Sequence, residues 1–219
     1  MYYNSGSFWN QIPKVTKNLI IVNVLMFLAT LVNENFMVGT FAMFYPTSPF
    51  FHGWQPLTHM FMHGGIWHIF FNMYALLMFG SVLERALGTK RFLLFYFICG
   101  FGAAALHMGV QYLQVHHWLA QGEMNNYYNL IRTPMLGASG AIYGILIGFA
   151  LLNPDAVLVL LFPPIPLKAK WWVIIFAVIE LCTGITGTRI GIAHFAHLGG
   201  MLFGFLLMWL WKKQGRIWW

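Results

Sequence analysis

Three short stretches of an apolar 219-residue chain hold side chains able to act as nucleophile, base or oxyanion donor. In Gly137-Ala138-Ser139-Gly140 a hydroxyl stands between glycines, so little but backbone surrounds it and another chain can approach closely. In Ala193-His194-Phe195-Ala196-His197-Leu198-Gly199-Gly200 two imidazoles fall three residues apart in an apolar run, where each needs a polar partner or a wet pocket. In His68-Ile69-Phe70-Phe71-Asn72 the i, i+4 spacing puts an imidazole and an amide on one helical face, two donors side by side. Serine is a poor nucleophile until a base takes its proton, which a neutral imidazole does near pH 7. Fixed donors then stabilise the developing oxyanion. Each stretch also has a plain structural reading. Ser139 can be one more small packing residue, either histidine a satisfied core residue, and His68 with Asn72 a bridge to a neighbouring helix.

The elements that must position these groups follow from composition. Hydrophobic residues make up 59% of the chain and charged ones 8%, against roughly a quarter charged in soluble domains, so the chain belongs in lipid. Six apolar runs approach the length needed to cross about 30 Å of hydrocarbon: Asn18–Val32, Gly64–Leu83, Phe92–Val115, Gly137–Leu152, Trp171–Thr186 and Ile190–Trp211. The expected fold is all-α, a polytopic bundle of six transmembrane helices spanning residues 18–211, with segments 1–17 and 212–219 outside it. The first run lacks a small-residue cleavage site after it and reads as a retained helix.

The net charge of +7 would suit nucleic acid, but the basic residues sit in short clusters between the runs, so no nucleic-acid partner is expected. With the N-terminus cytoplasmic, the inner side collects Lys14, Lys17, Arg85, Lys90, Arg91, Lys168, Lys170, Lys212, Lys213 and Arg216, and the outer side only Arg132 and Arg189. This positive-inside bias makes the second, fourth and sixth runs all enter from the outer face. His68, Ser139 and His197 each fall within the first eight residues of their runs, hence within ~12 Å of one boundary. Three weak signals thus share one layer, which independent packing residues have no reason to do. His197 also shares a helical face with Gly200 and Gly204, while Gly140, Gly144 and Gly148 repeat every fourth residue, two stripes suited to close packing.

The inventory excludes other chemistries. There is a single aspartate, Asp155, so a two-aspartate mechanism fails, and no His-Glu-x-x-His occurs. His59, His63, His194 and His197 lack an evident carboxylate or cysteine beside them, so no metal and no other cofactor is expected. Cys99 and Cys182 form neither a C-x-x-C motif nor a disulfide framework. His59 and His63 are expected to brace the first outer segment by hydrogen bonds. The remaining acids are Glu34, Glu84, Glu123 and Glu180, none in a motif with the histidines, so a Ser139–His197 dyad without a carboxylate is expected.

These residues resemble the rhomboid family of intramembrane serine proteases. The likeness runs through His59-x3-His63-x4-His68-x3-Asn72, Glu84-Arg85-x2-Gly88, Gly137-x-Ser139-Gly140 and His197-x2-Gly200-x3-Gly204, in order, over nearly the whole chain. The resemblance implies Ser139 as nucleophile and His197 as general base, with His68, Asn72 and the Ser139 backbone N–H around the oxyanion. It implies supporting roles for Gly137, Gly140 and Gly200, and for Tyr143 a ring packed on the catalytic histidine. Substrates would be transmembrane proteins cut near the outer end of a span, in a lipid bilayer. The location implied is a multi-pass protein with its active site towards the outer face, in the plasma (inner) membrane of a bacterium. Trp54-Gln55 stands where the family often has Trp-Arg. Two other readings compete: a catalytically silent relative that binds membrane clients, and a proton-coupled transporter using the histidines and Glu180.

Overall fold

The computed structural model describes residues 8–159, 164–186 and 191–217. Six helices follow the apolar runs: α1 Lys14–Val32, α2 Ile66–Leu87, α3 Thr89–Gln121, α4 Ser139–Leu152, α5 Ala169–Ile185 and α6 Gly191–Lys213. Arg189 of the charge count and the start of the sixth run at Ile190 lie outside the described residues. Four helices are long and apolar enough to cross a membrane: Lys14–Val32, Ile66–Leu87, Thr89–Gln121 and Ala193–Lys213. The other two follow the fourth and fifth runs, which are short for a span in the sequence as well. With 14 residues, α4 rises only about 21 Å, and α5 has 17 residues. The reason at α4 is that the chain arrives extended: Met135 pairs with Met43 in an antiparallel bridge, Gly137 adopts φ 134°, and helix begins only at Ser139.

The Glu84-Arg85-x2-Gly88 stretch is a corner joining α1, α2 and α3. Pro13 is extended and α1 starts behind it, leaving N–H groups without helical partners. The buried Glu84 carboxylate, on α2, accepts from Val15 N–H (3.0 Å), Thr16 N–H (2.7 Å) and the Thr16 hydroxyl (2.9 Å). It also faces the positive end of the α1 dipole. Arg85 donates to the Gln11 carbonyl at 2.9 Å, and Gly88, at φ 78°, turns the chain from α2 into α3. Glu84→Ala strands two buried N–H groups and should cost about 2–4 kcal/mol. A melting temperature in detergent lower by several degrees is the expected result, with Glu84→Gln intermediate.

The interior is built on α3. Phe92, Phe95, Tyr96, Cys99 and Ala103 are buried there, and α4 and α6 pack against them. The two glycine stripes face each other. A Cβ on Gly200 would lie 1.8 Å from the Gly140 carbonyl oxygen, and one on Gly204 would lie 3.0 Å from Gly144 Cα. Without water to drive helices together, such backbone contact is what holds a bundle in lipid. Large apolar residues point outward instead: Trp67, Phe70 and Phe71 on α2, Leu202, Phe205 and Trp209 on α6. Between α4 and α5, strands β1 Val157–Val159 and β2 Pro166–Lys168 form an antiparallel hairpin with Val157 opposite Lys168. Beside it Lys168 and Lys170 pair with the exposed Asp155 and hold its carboxyl below the usual carboxylate range.

Candidate functional site

Ser139 is the first residue of α4, and His197 lies one turn before Gly200 on α6. The Gly140–Gly200 backbone contact therefore sets the distance between them. Ser139 Oγ and His197 Nε2 are 2.9 Å apart. Tyr143, one turn further along α4, lays its ring flat on the His197 imidazole, with centroids 4.3 Å apart and planes 4° from parallel.

The expectation of a pair without a carboxylate is overturned here. Glu180, at the middle of α5 and only 6% exposed, turns its carboxylate towards the histidines. Oε1 faces His197 Nδ1 at 2.9 Å and accepts from the Tyr143 hydroxyl at 2.5 Å, while Oε2 pairs with His194 Nδ1. An ionised carboxylate only accepts, so both imidazoles carry their proton on Nδ1, leaving His197 Nε2 as acceptor for the Ser139 hydroxyl. No Lys or Arg pairs with Glu180 among the described residues; three donors satisfy the buried charge instead. Glu180, His194 and His197 also have ligating atoms within 4.8 Å of one another, the spacing a metal would need, and the expectation that no carboxylate stood near these histidines is corrected with it. The direct 2.9 Å approach of His197 to Glu180 is shorter than the ~3.3 Å that separates ligands in a tetrahedral shell, and fits mutual hydrogen bonding better.

On the other side of Ser139 lie the two donors of α2. Gly64 N–H points at His68 Nδ1 (3.4 Å), which leaves Nε2 of that ring as the donor. A Cβ on Gly137 would sit 2.9 Å from His68 Nε2 and 3.4 Å from Ser139 Oγ, so the two groups border one small space over that glycine. At φ 134° and with that space needed, only glycine fits at 137. Asn72, one turn along α2, is buried, and its Nδ2 has no hydrogen-bond partner among the described residues. A turn later α2 widens into a π-turn over Leu76–Gly80. A hydroxyl on an imidazole, the imidazole on a carboxylate, and two unspent donors across a gap can together take a proton from Ser139 and receive an oxyanion.

The segment between α1 and α2 borders this gap through His59 and His63, and Gln55 is its hydrogen-bonding hub. Fully buried, the amide accepts from Phe44 N–H (3.2 Å) and donates to the carbonyls of Phe50 (2.8 Å), Gly39 and Thr40 (both 3.4 Å). Trp54 Nε1 donates to the Thr40 carbonyl and Thr58 to that of Phe41. His59 donates through Nδ1 to the Gln55 carbonyl (3.0 Å), and its own carbonyl accepts from Gly137 N–H (3.0 Å), so the loop holds the extended strand that ends at Ser139. His63 departs from the expected hydrogen-bonded brace. Both its ring nitrogens are buried with no well-aligned hydrogen bond among the described residues, the Phe61 backbone being close enough only to favour its protonated form, and it meets His68 edge-on at 5.0 Å.

Burial pushes His59 down to about 4 and His63, which also feels His68, to about 3. Both values lie below the ~6.5 of an unfolded chain, so the folded protein binds fewer protons between those limits. Stability should therefore be full above pH 6.5 and fall as pH drops towards 4, by about 3 kcal/mol for His59 alone. Melting temperatures recorded from pH 7.5 to 4.5 should fall less steeply for His59→Gln than for the parent.

The family model of the Rhomboid domain matches residues 50–214. Similar proteins include the rhomboid protease AarA of Providencia stuartii, 29% identical over 161 residues, covering 70% of this chain and 54% of the relative. The mitochondrial RHOMBOID-like protein 12 of Arabidopsis thaliana is 32% identical over 208 residues, covering 92% and 59%. The mitochondrial Rhomboid protein 1 of Saccharomyces cerevisiae is 32% identical over 158 residues, covering 70% and 40%. The chain spans 33% and 47% of the lengths of two further Arabidopsis thaliana relatives, RHOMBOID-like protein 4 and Rhomboid-like protein 15, about a third and a half.

Proposed function

Because this chain belongs to the rhomboid family and is an integral membrane protein, we propose that it is an intramembrane serine endopeptidase that hydrolyses peptide bonds in or near transmembrane segments of other proteins. The observation that carries this reading is the 2.9 Å contact of Ser139 Oγ with His197 Nε2 beside the unspent donors of α2. In it His197 takes the Ser139 proton as the oxygen attacks a substrate carbonyl, then returns it to the leaving amine. His68 Nε2–H, Asn72 Nδ2 and the Ser139 N–H stabilise the tetrahedral oxyanion, and each such donor is typically worth ~10²–10³ in rate. Gly137, Gly140 and Gly200 keep that constellation tight, and Tyr143 fixes the plane of the His197 ring.

The positive-inside count supports a cytoplasmic N-terminus and a site towards the outer face, as in a bacterial plasma membrane. The partners are then transmembrane protein substrates entering from the bilayer. A helical substrate hides its carbonyls in hydrogen bonds, so it must unwind locally before attack. The test is a fluorophosphonate probe applied to the purified protein in detergent. Labelling of the parent and none of Ser139→Ala supports the reading; equal labelling of both, or of neither, refutes it.

A further inference from the structure

We propose that Glu180 is the orienting acid of the Ser139–His197 pair, making the site a Ser–His–Glu triad in which His194 and Tyr143 hold the acid in place. This rests on the serine protease reading above. A lone imidazole beside a serine has three weaknesses: it can rotate, it can present the wrong tautomer, and it gains a positive charge in a low-dielectric setting when it takes the proton. Each is answered by a contact already described. Rotation is blocked by the Tyr143 ring stacked on one face and by the Nδ1 contact to Glu180 at 2.9 Å. The tautomer is set because Glu180 Oε1 requires a donor, which leaves Nε2 free for Ser139 Oγ. The imidazolium formed during attack would face a carboxylate buried to 6% exposure.

Glu180 is itself fixed on both oxygens. Tyr143 donates to Oε1 and His194 to Oε2, so the acid cannot turn away from His197 without losing a second partner. The groups facing this carboxylate are Tyr143 from α4 and His194 and His197 from α6, with Ser139 and His68 beyond His197. Past Val173, Glu180 is the one buried residue of α5 among those described, in a stretch whose other side chains, Ile174, Ile175, Val178, Ile179 and Leu181, face outward. A charge kept at that place with no Lys or Arg partner among the described residues is costly, and a role in holding His197 explains why these neighbours converge on it. Glu180 acts through His197 and touches no substrate: it is a positioning residue.

The experiment compares the parent with Glu180→Gln, Glu180→Asp, His194→Gln and Ser139→Ala in detergent. Four readouts are taken: kcat and KM on a transmembrane model substrate, the rate of fluorophosphonate labelling, the labelled fraction at the end point, and the melting temperature. Glu180→Gln should lower kcat and labelling rate together by ~10²–10⁴, with KM and the labelled fraction unchanged. Glu180→Asp, which keeps the charge but not the reach, should fall between Gln and the parent. His194→Gln should lower the rate by roughly tenfold, because it frees one carboxylate oxygen only. A Glu180→Gln protein that labels at the parental rate overturns the proposal, as does a loss seen only in labelled fraction, which marks a structural role. Should Glu180→Gln not fold, a folded Glu180→Asp protein at full rate overturns it equally. Retained cleavage by Ser139→Ala would refute the protease reading itself, a separate outcome.

Discussion

Ser139→Ala should cleave a transmembrane model substrate at least ~10⁴-fold more slowly than the parent, His197→Ala should match it, and the double variant should be no slower than either. The reason lies in the single contact that joins them. His197 Nε2 has Ser139 Oγ as its hydrogen-bond partner at 2.9 Å, so without the hydroxyl the imidazole has nothing to deprotonate, and without the imidazole the hydroxyl stays a hydroxyl. Groups that act as one unit lose their effect together, and this non-additivity separates a shared mechanism from two unrelated defects. The melting temperature of Ser139→Ala should stay within a few degrees of the parent, whereas His197→Ala, which takes one of three donors from the buried Glu180 carboxylate, should melt lower. Substantial cleavage by either single variant would defeat the assignment. A parent that captures membrane proteins without cutting them would point to the silent, client-binding alternative instead.

Gly200→Val should abolish activity although it touches no reacting atom. A Cβ at 200 would stand 1.8 Å from the Gly140 carbonyl oxygen and 2.7 Å from its carbon, and neither is the end of a flexible side chain. The helices must part by an ångström or more. Ser139 precedes Gly140 and His197 lies one turn before Gly200, so the same movement stretches the 2.9 Å link beyond hydrogen-bond range. A misplacement of about 1 Å in such a constellation costs ~10² in rate, and two branched methyls cost more. Overpacking should also lower stability by about 1–3 kcal/mol. The control is Gly109→Ala on α3, where a Cβ meets nothing within 4 Å; it should leave cleavage unchanged. Fluorophosphonate labelling and substrate cleavage measure both, and parental activity in Gly200→Val would show that the contact does not set the geometry.

The parts of this site legible in the sequence are those encoded by spacing along one element. Gly140, Gly144 and Gly148 on one helix and His197, Gly200 and Gly204 on another announce two close-packing faces, which meet at Gly140–Gly200 and Gly144–Gly204, while Gly148 packs on Leu83 and Phe95. The charge count brought His68, Ser139 and His197 to one layer before any contact was known. Glu180 escaped because α5 is apolar around most of its circumference, so periodicity does not say which way residue 180 faces. Its signal was present all the same: an acid in an apolar run needs a partner, and His194 was a second histidine without an assigned role. Of the six apolar runs, four came out as helices long enough to cross a membrane and two as shorter ones, and hydropathy does not show that Gly137, at φ 134°, stands outside the helix that begins at Ser139. Nor does local pattern reveal Gln55, whose partners Gly39, Thr40 and Phe44 lie 11 to 16 residues away.

The same glutamine decides what kind of forces hold the segment between α1 and α2 together. Residues 33–63 contain no lysine or arginine, and at their centre is a neutral amide bonded to backbone groups. An arginine in that place would interact with anionic headgroups and be screened by counterions. A neutral hub does neither. Gln55 itself should therefore respond to neither ionic strength nor the proportion of acidic lipid, and the melting temperature of the protein in vesicles of rising anionic content is the measurement that checks it.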